Sequence, residues 1–528
     1  MRKNLSKALL LAGWLWLPSL AVLSTDNVQG GAEIFALLAF SLLLLAAPLV
    51  LVPRLRNYFL LWTPLALLVA PYCYMTVVYG SVPGEVLLSA ALHTSLALSL
   101  QVLGSFGWRV WLVPASLLLY VLLALSLDRA WKLSLAARKR LLAGLLLYVM
   151  LAMVARQALD QRVALPPLLE QSTLDLAFPS GLALSLSRLY RHPEPSATFV
   201  SVHGRAAASE PLLVVLVVGE SLRSDHLGIN GYGRNTTPHL AALGPELLSF
   251  PDVASSANWT NHAVPGIVTL PLESQRANLT QTFHEAGFRS AWISNQEPSP
   301  YGSVADVVEY AIDSQDYHLR NDASLLPLFT SFVRQAGLRQ FVVLHMMGSH
   351  IPYEERYSAS SKVFIPTLRD LGVDEPVLAD KAAAINSYDN TVIETDKFLA
   401  RVIEVLRKEQ RPAVMLYTSD HGENLFDNER HLFMHTQPGP TRYDTHVPLL
   451  VWMNPPYRAA HPGLEQVLRA NSTKKVSHAD VFPSLLGLGA VQWDDLGERR
   501  SFAAPGYMEH PRVVMKDLSS TTLYDDLK

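Results

Sequence analysis

Tyr417-Thr-Ser-Asp420-His421-Gly422-Glu423 is the stretch on which the reading of this chain turns. The apolar run before it, Ala413 to Leu416, predicts a strand buried on both faces. A carboxylate and an imidazole then stand side by side where a parallel strand ends, the edge at which open α/β sheets hold ligands. Both groups are ligands that zinc accepts. Far upstream, Leu212-Leu-Val-Val-Leu-Val-Val-Gly219-Glu220-Ser221 repeats the arrangement of buried strand, glycine and carboxylate. Two such strand ends predict one metal site built from distant parts of the chain.

Further apolar runs extend the pattern. Arg289 to Ser294, Gln340 to Met346 and Val447 to Trp452 join Leu212 to Val218 and Val414 to Thr418 as strands. Ala382 to Arg407 has helical spacing, with charges on its other face. Strands alternating with helices predict a mostly parallel sheet sandwiched by helices over residues 211–528.

The other end of the chain has a different character. Half of the 528 residues are hydrophobic and only 17% are charged, and the apolar excess lies in residues 1–156. Five segments there have the length and composition of membrane spans: Ala8 to Leu23, Ile34 to Val52, Tyr58 to Tyr79, Val110 to Leu127 and Leu141 to Ala155. Val86 to Leu103 is a sixth apolar stretch, but it carries His93 and Gln101. Lys and Arg cluster before the first segment, at Arg54 and Arg56, and from Arg129 to Arg140. The Asn27 region and the stretch from Gly80 to Gly107 have none. The positive-inside rule then favours five crossings, which place everything after Ala155 outside. Residues 157–210, rich in proline, read as a linker with an amphipathic helix at Leu182 to Tyr190, lying on the interface or packed as a connector. A net charge of −3 gives no reason to expect a nucleic-acid partner, and the single cysteine, Cys73, excludes an intrachain disulfide.

Other residue types suited to catalysis gather near predicted strand ends. Thr260 opens a predicted helix in Ala257-Asn-Trp-Thr-Asn-His-Ala-Val-Pro265, where a helix dipole favours an anion or alkoxide. Its plain alternative is an N-cap, and the residues alone do not separate Thr260 from Ser221 as a nucleophile. His345 and His350 follow one strand, and His431 and His435 follow the Asp-His pair. As a set they offer a phosphate ligand, a second metal site or a proton for a leaving group.

Four blocks, Val214 to Pro238, Phe341 to Tyr353, Ile385 to Asp396 and Leu416 to Trp452, resemble in order the phosphoethanolamine transferases of Gram-negative inner membranes. The resemblance implies five transmembrane helices and a periplasmic domain of alkaline-phosphatase/sulfatase fold. It implies zinc, one ion or two, on Glu220, Thr260, Asp420 and His421, with Thr260 as nucleophile. His350 and His435 fall on the family histidines around the phosphoryl group; His431 is a rival for the second place, and His345, His431 and Asn295 are expected substrate contacts. The implied donor is phosphatidylethanolamine from the membrane, and the implied acceptor is lipopolysaccharide core or a periplasmic glycan. The periplasmic disulfides of the lipid A-modifying members are missing here, which favours the core- or glucan-modifying members. Ala90 and Leu98 stand where members carry asparagine and glutamate, so the donor head group stays open. Alternative readings are a lipid-linked phosphoglycerol transferase of the same superfamily and a non-catalytic envelope scaffold. A sulfatase would need a cysteine or serine to mature to formylglycine, and it is disfavoured because the only cysteine lies in the membrane half.

Overall fold

The computed structural model describes the chain except residues 1, 26–27, 29–30, 79–81, 85–86, 90–91, 93–106, 160–170, 192–198, 207–209, 272–275, 312–320, 336, 375, 428, 437–438, 494–499, 519 and 528. Ala90, Leu98 and most of Val86 to Leu103 lie outside the described residues. The chain divides into two units, Met1–Pro193 and Glu194–Lys528.

In the first unit, three helices among the described residues are long and apolar enough to cross a membrane: Lys3–Ser24, Glu33–Val50 and Gly107–Leu125. Leu55–Leu61 and Thr63–Val77 make a fourth only if this pair, bent by 55°, counts as one span. The fifth expected span falls on the helix Leu135–Leu159, which is not among those three or four. The described residues therefore support three or four spans, and five is not established. The helix Ser180–Arg191 contains the amphipathic piece expected in the linker. Phe178 and Leu182 are buried with Val22, Leu37, Phe40 and Tyr72, so this end of the helix packs against the apolar helices.

The second unit is built on one eight-stranded sheet. Its strands are β1 (Leu212–Gly219), β2 (Leu247–Ala254), β3 (Arg289–Ser294), β4 (Val307–Tyr310), β5 (Arg339–His345), β6 (Ala413–Ser419), β7 (His446–Met453) and β8 (Val476–Ser477). They lie in the order β8-β2-β7-β6-β1-β5-β3-β4. All neighbours are parallel except that β7 runs antiparallel to both β2 and β6. The sheet is thus mixed, and β7 corrects the expectation that Val447 to Trp452 joins a parallel set. Composition alone does not carry strand direction.

Helices that flank this sheet include α1 (Thr260–Val268), α2 (Leu325–Arg334), α3 (Lys381–Arg407) and α4 (Val481–Leu488). Side chains of β1 alternate between two cores. Val214, Leu216 and Val218 pack with Ile267 of α1 and Leu485 of α4. Leu213, Val215 and Val217 pack with Phe329 of α2 and with Tyr388, Val392 and Leu399 of α3. All seven side chains from Leu212 to Val218 are buried. At roughly 2 kcal/mol each they contribute on the order of 10 kcal/mol, an upper figure. That is enough to offset the several kcal/mol that the buried, unsolvated Glu220 costs at the end of the strand. Register sets Val218 beside His345 and Gly219 beside Ser419, so the loops after β1, β5 and β6 emerge together.

Candidate active site

Glu220 leaves β1 fully buried. The next residue, Ser221, has φ of 57°, a left-handed conformation that costs a non-glycine residue about 1 kcal/mol or more. Tyr388 of α3 holds the turn. Its hydroxyl donates to the Ser221 carbonyl at 2.7 Å and accepts from the Arg223 N–H at 2.9 Å. The Ser221 N–H donates to Asp420 Oδ1 at 3.1 Å, which ties this turn to the loop after β6.

Side chains from three loops meet here. Thr260, the first residue of α1, donates its hydroxyl to Glu220 Oε2 at 3.1 Å and lies 3.3 Å from His421 Nε2. His421 Nε2 lies 3.2 Å from Glu220 Oε1 and 3.4 Å from Asp420 Oδ2. The Nδ1–H of His421 donates to the Gly422 carbonyl at 2.8 Å, which turns Nε2 toward the carboxylates. Gly422 has no room for a side chain, since a Cβ would stand 2.3 Å from the Tyr443 carbonyl oxygen. Ser221 is fully buried and its hydroxyl donates to Glu220 Oε1 at 2.8 Å, whereas Thr260 is half-buried. The two hydroxyls that sequence leaves equivalent are therefore not equivalent in exposure.

This arrangement fits a cation. One ligand atom each from Glu220, Asp420 and His421 lies within 4.8 Å of the others. Asp420 Oδ2 is buried with no hydrogen-bond partner among the described residues, which is costly unless something positive is bound. Burial lifts the Asp420 carboxyl well above its usual range, and the Glu220 charge adds to the rise. Burial alone would depress the His421 imidazolium, but Asp420 and Glu220 outweigh it and raise its pKa to about 10. Without a metal, a proton on His421 is thus the positive charge that faces the Glu220 carboxylate.

A second group shares Glu220. Ligand atoms of Glu220, His350 and His435 also lie within 4.8 Å of one another. The His435 ring centroid is 4.2 Å from that of His421 and 5.9 Å from that of His350. Burial pushes the pKa of His350 down to about 4 and that of His435 to about 3, so both are neutral with lone pairs available. Glu423 accepts from His435 Nδ1 at 3.2 Å, and burial raises its own carboxyl to about 8.

Three expected substrate contacts lie elsewhere. His431 is exposed, and no contact joins it to the site among the described residues. Positive φ at His431, Met434 and Thr436 turns this loop so that Phe433 stacks on Phe426 and His435 returns over His421. His345 is buried on the β3 side of β5, with its Nδ1 3.4 Å from Ser294 Oγ and its ring edge-on to Trp292, and belongs to neither ligand group. Strand alternation aims it into the core. Asn295 is fully buried and donates to Asp322 at 2.9 Å, while its neighbour Gln296 reaches Glu220 Oε2 at 2.9 Å. Asp322 in turn accepts from the Met347 and Gly348 N–H groups at 2.7 and 2.8 Å and so holds the turn that leads to His350.

Sequence reading passes over Gln296, Asp322, Tyr388 and Glu423. Glu423 and Tyr388 sit inside the quoted blocks, and for Glu423 its place two residues beyond His421 is the signal available. Nothing in the sequence marks Asp322.

A cluster of candidate metal ligands at the joined ends of a mostly parallel, mixed sheet fits an alkaline-phosphatase-like domain. Residues 213–491 match the family described as Sulfatase, and the chain belongs to that family. It is 25% identical over 338 residues to the phosphoethanolamine transferase EptC of Escherichia coli O18:K1:H7, covering 60% of this chain and 58% of that protein. The chain thus matches a little under three fifths of that relative's length. The integral membrane lipooligosaccharide phosphoethanolamine transferase A of Neisseria meningitidis superposes with a TM-score of 0.75 at 24% identity, over 94% of this chain and 96% of that one. The zinc complex of the periplasmic domain of Escherichia coli EptC superposes with a TM-score of 0.56 at 24% identity, over 61% of this chain and 96% of that one.

Proposed function

We propose that the chain transfers phosphoethanolamine from phosphatidylethanolamine to an envelope glycan, lipopolysaccharide core or periplasmic glucan, through a covalent adduct on Thr260. The observation that carries this reading is the half-buried Thr260 hydroxyl, hydrogen-bonded to Glu220 and beside His421 within a cluster of buried acids. The names of the transferase relatives support the choice of cargo, and the zinc complex of the related domain supports the choice of metal.

Glu220, Asp420, His421 and Thr260 would hold a zinc ion, and His350 and His435 with Glu220 would hold a second ion or the phosphoryl oxygens. A divalent cation bound there supplies positive charge that lowers the pKa of the Thr260 hydroxyl and offsets charge on the phosphate. Glu220 Oε2 accepts the Thr260 hydrogen and aligns the oxygen for attack on the phosphodiester phosphorus. The bond to the diacylglycerol oxygen breaks, and this oxygen takes up the proton that left Thr260, relayed by His435 or His350, whose neutral rings accept it first. An acceptor oxygen then displaces Thr260, and the hydroxyl is restored. Apolar helices in the first unit keep the enzyme at the bilayer that stores the donor, in the inner membrane with the catalytic unit outside, so proximity replaces tight lipid affinity.

Mass spectrometry of the acceptor after incubation with defined lipids tests this. The expected increment is one phosphoethanolamine unit per acceptor. A phosphoglycerol increment, or none with active metal-loaded enzyme, refutes it.

A further inference from the structure

Behind the turn that carries His350 lies a groove outside both ligand groups. Its inner part, a narrow cleft of about 40 Å³, is walled by Gly348, Arg356, Ser358, Ser360, Lys397 and Arg401. An open continuation of about 660 Å³ runs between α2 and α3 past Arg401 to Arg334. Four cationic side chains face two acids, Asp322 and Glu394. Both acids are engaged: Asp322 accepts the Met347 and Gly348 N–H groups, and Glu394 accepts from the N–H and hydroxyl of Ser358. Lys397 donates only to Ser360 and Ser361 oxygens, and neither it nor Arg401 pairs with a carboxylate among the described residues. The groove is therefore positive and lined with hydroxyls, the chemistry that fits a phosphate on a sugar.

This groove also connects to the chemistry. Arg356, 3% exposed, donates through Nε to the His350 carbonyl at 3.1 Å. The Ser349 N–H donates to the Glu220 carbonyl at 2.8 Å. One end of the groove thus rests against the backbone that positions a site histidine and a metal-ligand candidate.

We infer that the Arg356–Lys397–Arg401 groove is a subsite for a phosphate group carried by the acceptor glycan. Its role as an acceptor subsite rests on the transferase reading; its capacity to bind phosphate does not. The test uses the full chain in detergent and the variant Lys397→Gln/Arg401→Gln, both of which lie on the outer side of α3. Equilibrium dialysis with labelled inorganic phosphate and with glucose 1-phosphate is performed on chelator-treated protein, so that the metal site does not contribute. The parent chain is expected to bind both, and the variant at least tenfold more weakly; equal binding by the two, or none by the parent, overturns the subsite. In transfer assays the parent is expected to prefer a phosphorylated oligosaccharide over the same acceptor treated with phosphatase, through KM. The variant should lose that preference. A preference kept by the variant overturns the assignment, and so does a KM rise confined to the donor lipid, which would give the groove to the lipid phosphate instead.

Discussion

Removing the hydroxyl of Tyr388 tests how the site is held open. Tyr388 is fully buried, and its hydroxyl serves two backbone groups, the Ser221 carbonyl and the Arg223 N–H. In Tyr388→Phe both are left buried without that partner, at about 1–3 kcal/mol each. Relaxation of Ser221 from its left-handed conformation returns about 1–2 kcal/mol. The net loss is about 1–4 kcal/mol, which at roughly 2 °C per kcal/mol for a unit of this size lowers Tm by about 2–8 °C. The same relaxation moves Glu220, one residue away, so kcat falls at least tenfold. Tyr417→Phe is the control: that hydroxyl is equally buried but makes no hydrogen bond among the described residues, so its loss shifts Tm by no more than about 1 °C. Thermal unfolding by intrinsic fluorescence and the transfer assay read both variants. A Tyr388→Phe chain with the parent's Tm and kcat would show that the Ser221 turn needs no such clamp, and the argument for a strained ligand loop would fail.

Other outcomes follow from the same geometry. His435→Gln is expected to lower kcat about a hundredfold or more, the scale of a lost proton donor or phosphate ligand, while the exposed His431→Gln leaves it within twofold; equal effects would reverse the assignment. Gly348 has φ of 49° and a Cβ there would come within 2.7 Å of the Glu220 carbonyl oxygen, so Gly348→Ala should cost about 2–4 kcal/mol and at least tenfold in kcat, read by the same two assays. His510 donates to Asp480 at 2.5 Å, and that hydrogen bond raises its pKa. A raised value means the stabilisation is complete below the free pKa of about 6.5 and is lost as pH climbs through the folded value. Tm should therefore step down slightly as pH rises past about 6.5 in the parent and lack this step in His510→Gln.

The strands that position the site are legible because they are continuous apolar runs; β1, β3, β5, β6 and β7 fall within a residue or so of their expected limits. β2 escapes notice because Ser249, Pro251 and Asp252 interrupt its sequence, Leu-Leu-Ser-Phe-Pro-Asp-Val-Ala, although it is an inner strand between β7 and β8. β8 is only two residues long and carries no pattern. Within the site, ligands adjacent to a strand end are readable, since the strand fixes where they emerge. Loop residues are not: the positions of His431 and His435 are set by positive φ at His431, Met434 and Thr436, which no spacing rule reveals. Asp322 and Gln296 act through backbone turns and a single side-chain contact, which leave no periodic trace. The membrane count suffers differently, because helix length and hydropathy alone do not separate a bent pair from one span.

The central claim is that Thr260 carries the cargo. Purified full-length chain loaded with zinc, incubated with phosphatidylethanolamine and no acceptor, then digested and mapped by mass spectrometry, reads this directly. A phosphoethanolamine adduct on the peptide at Thr260, absent after chelation and in Thr260→Ala, is the result expected. An adduct on Ser221 or another residue, or none in enzyme that still transfers when acceptor is added, would contradict it.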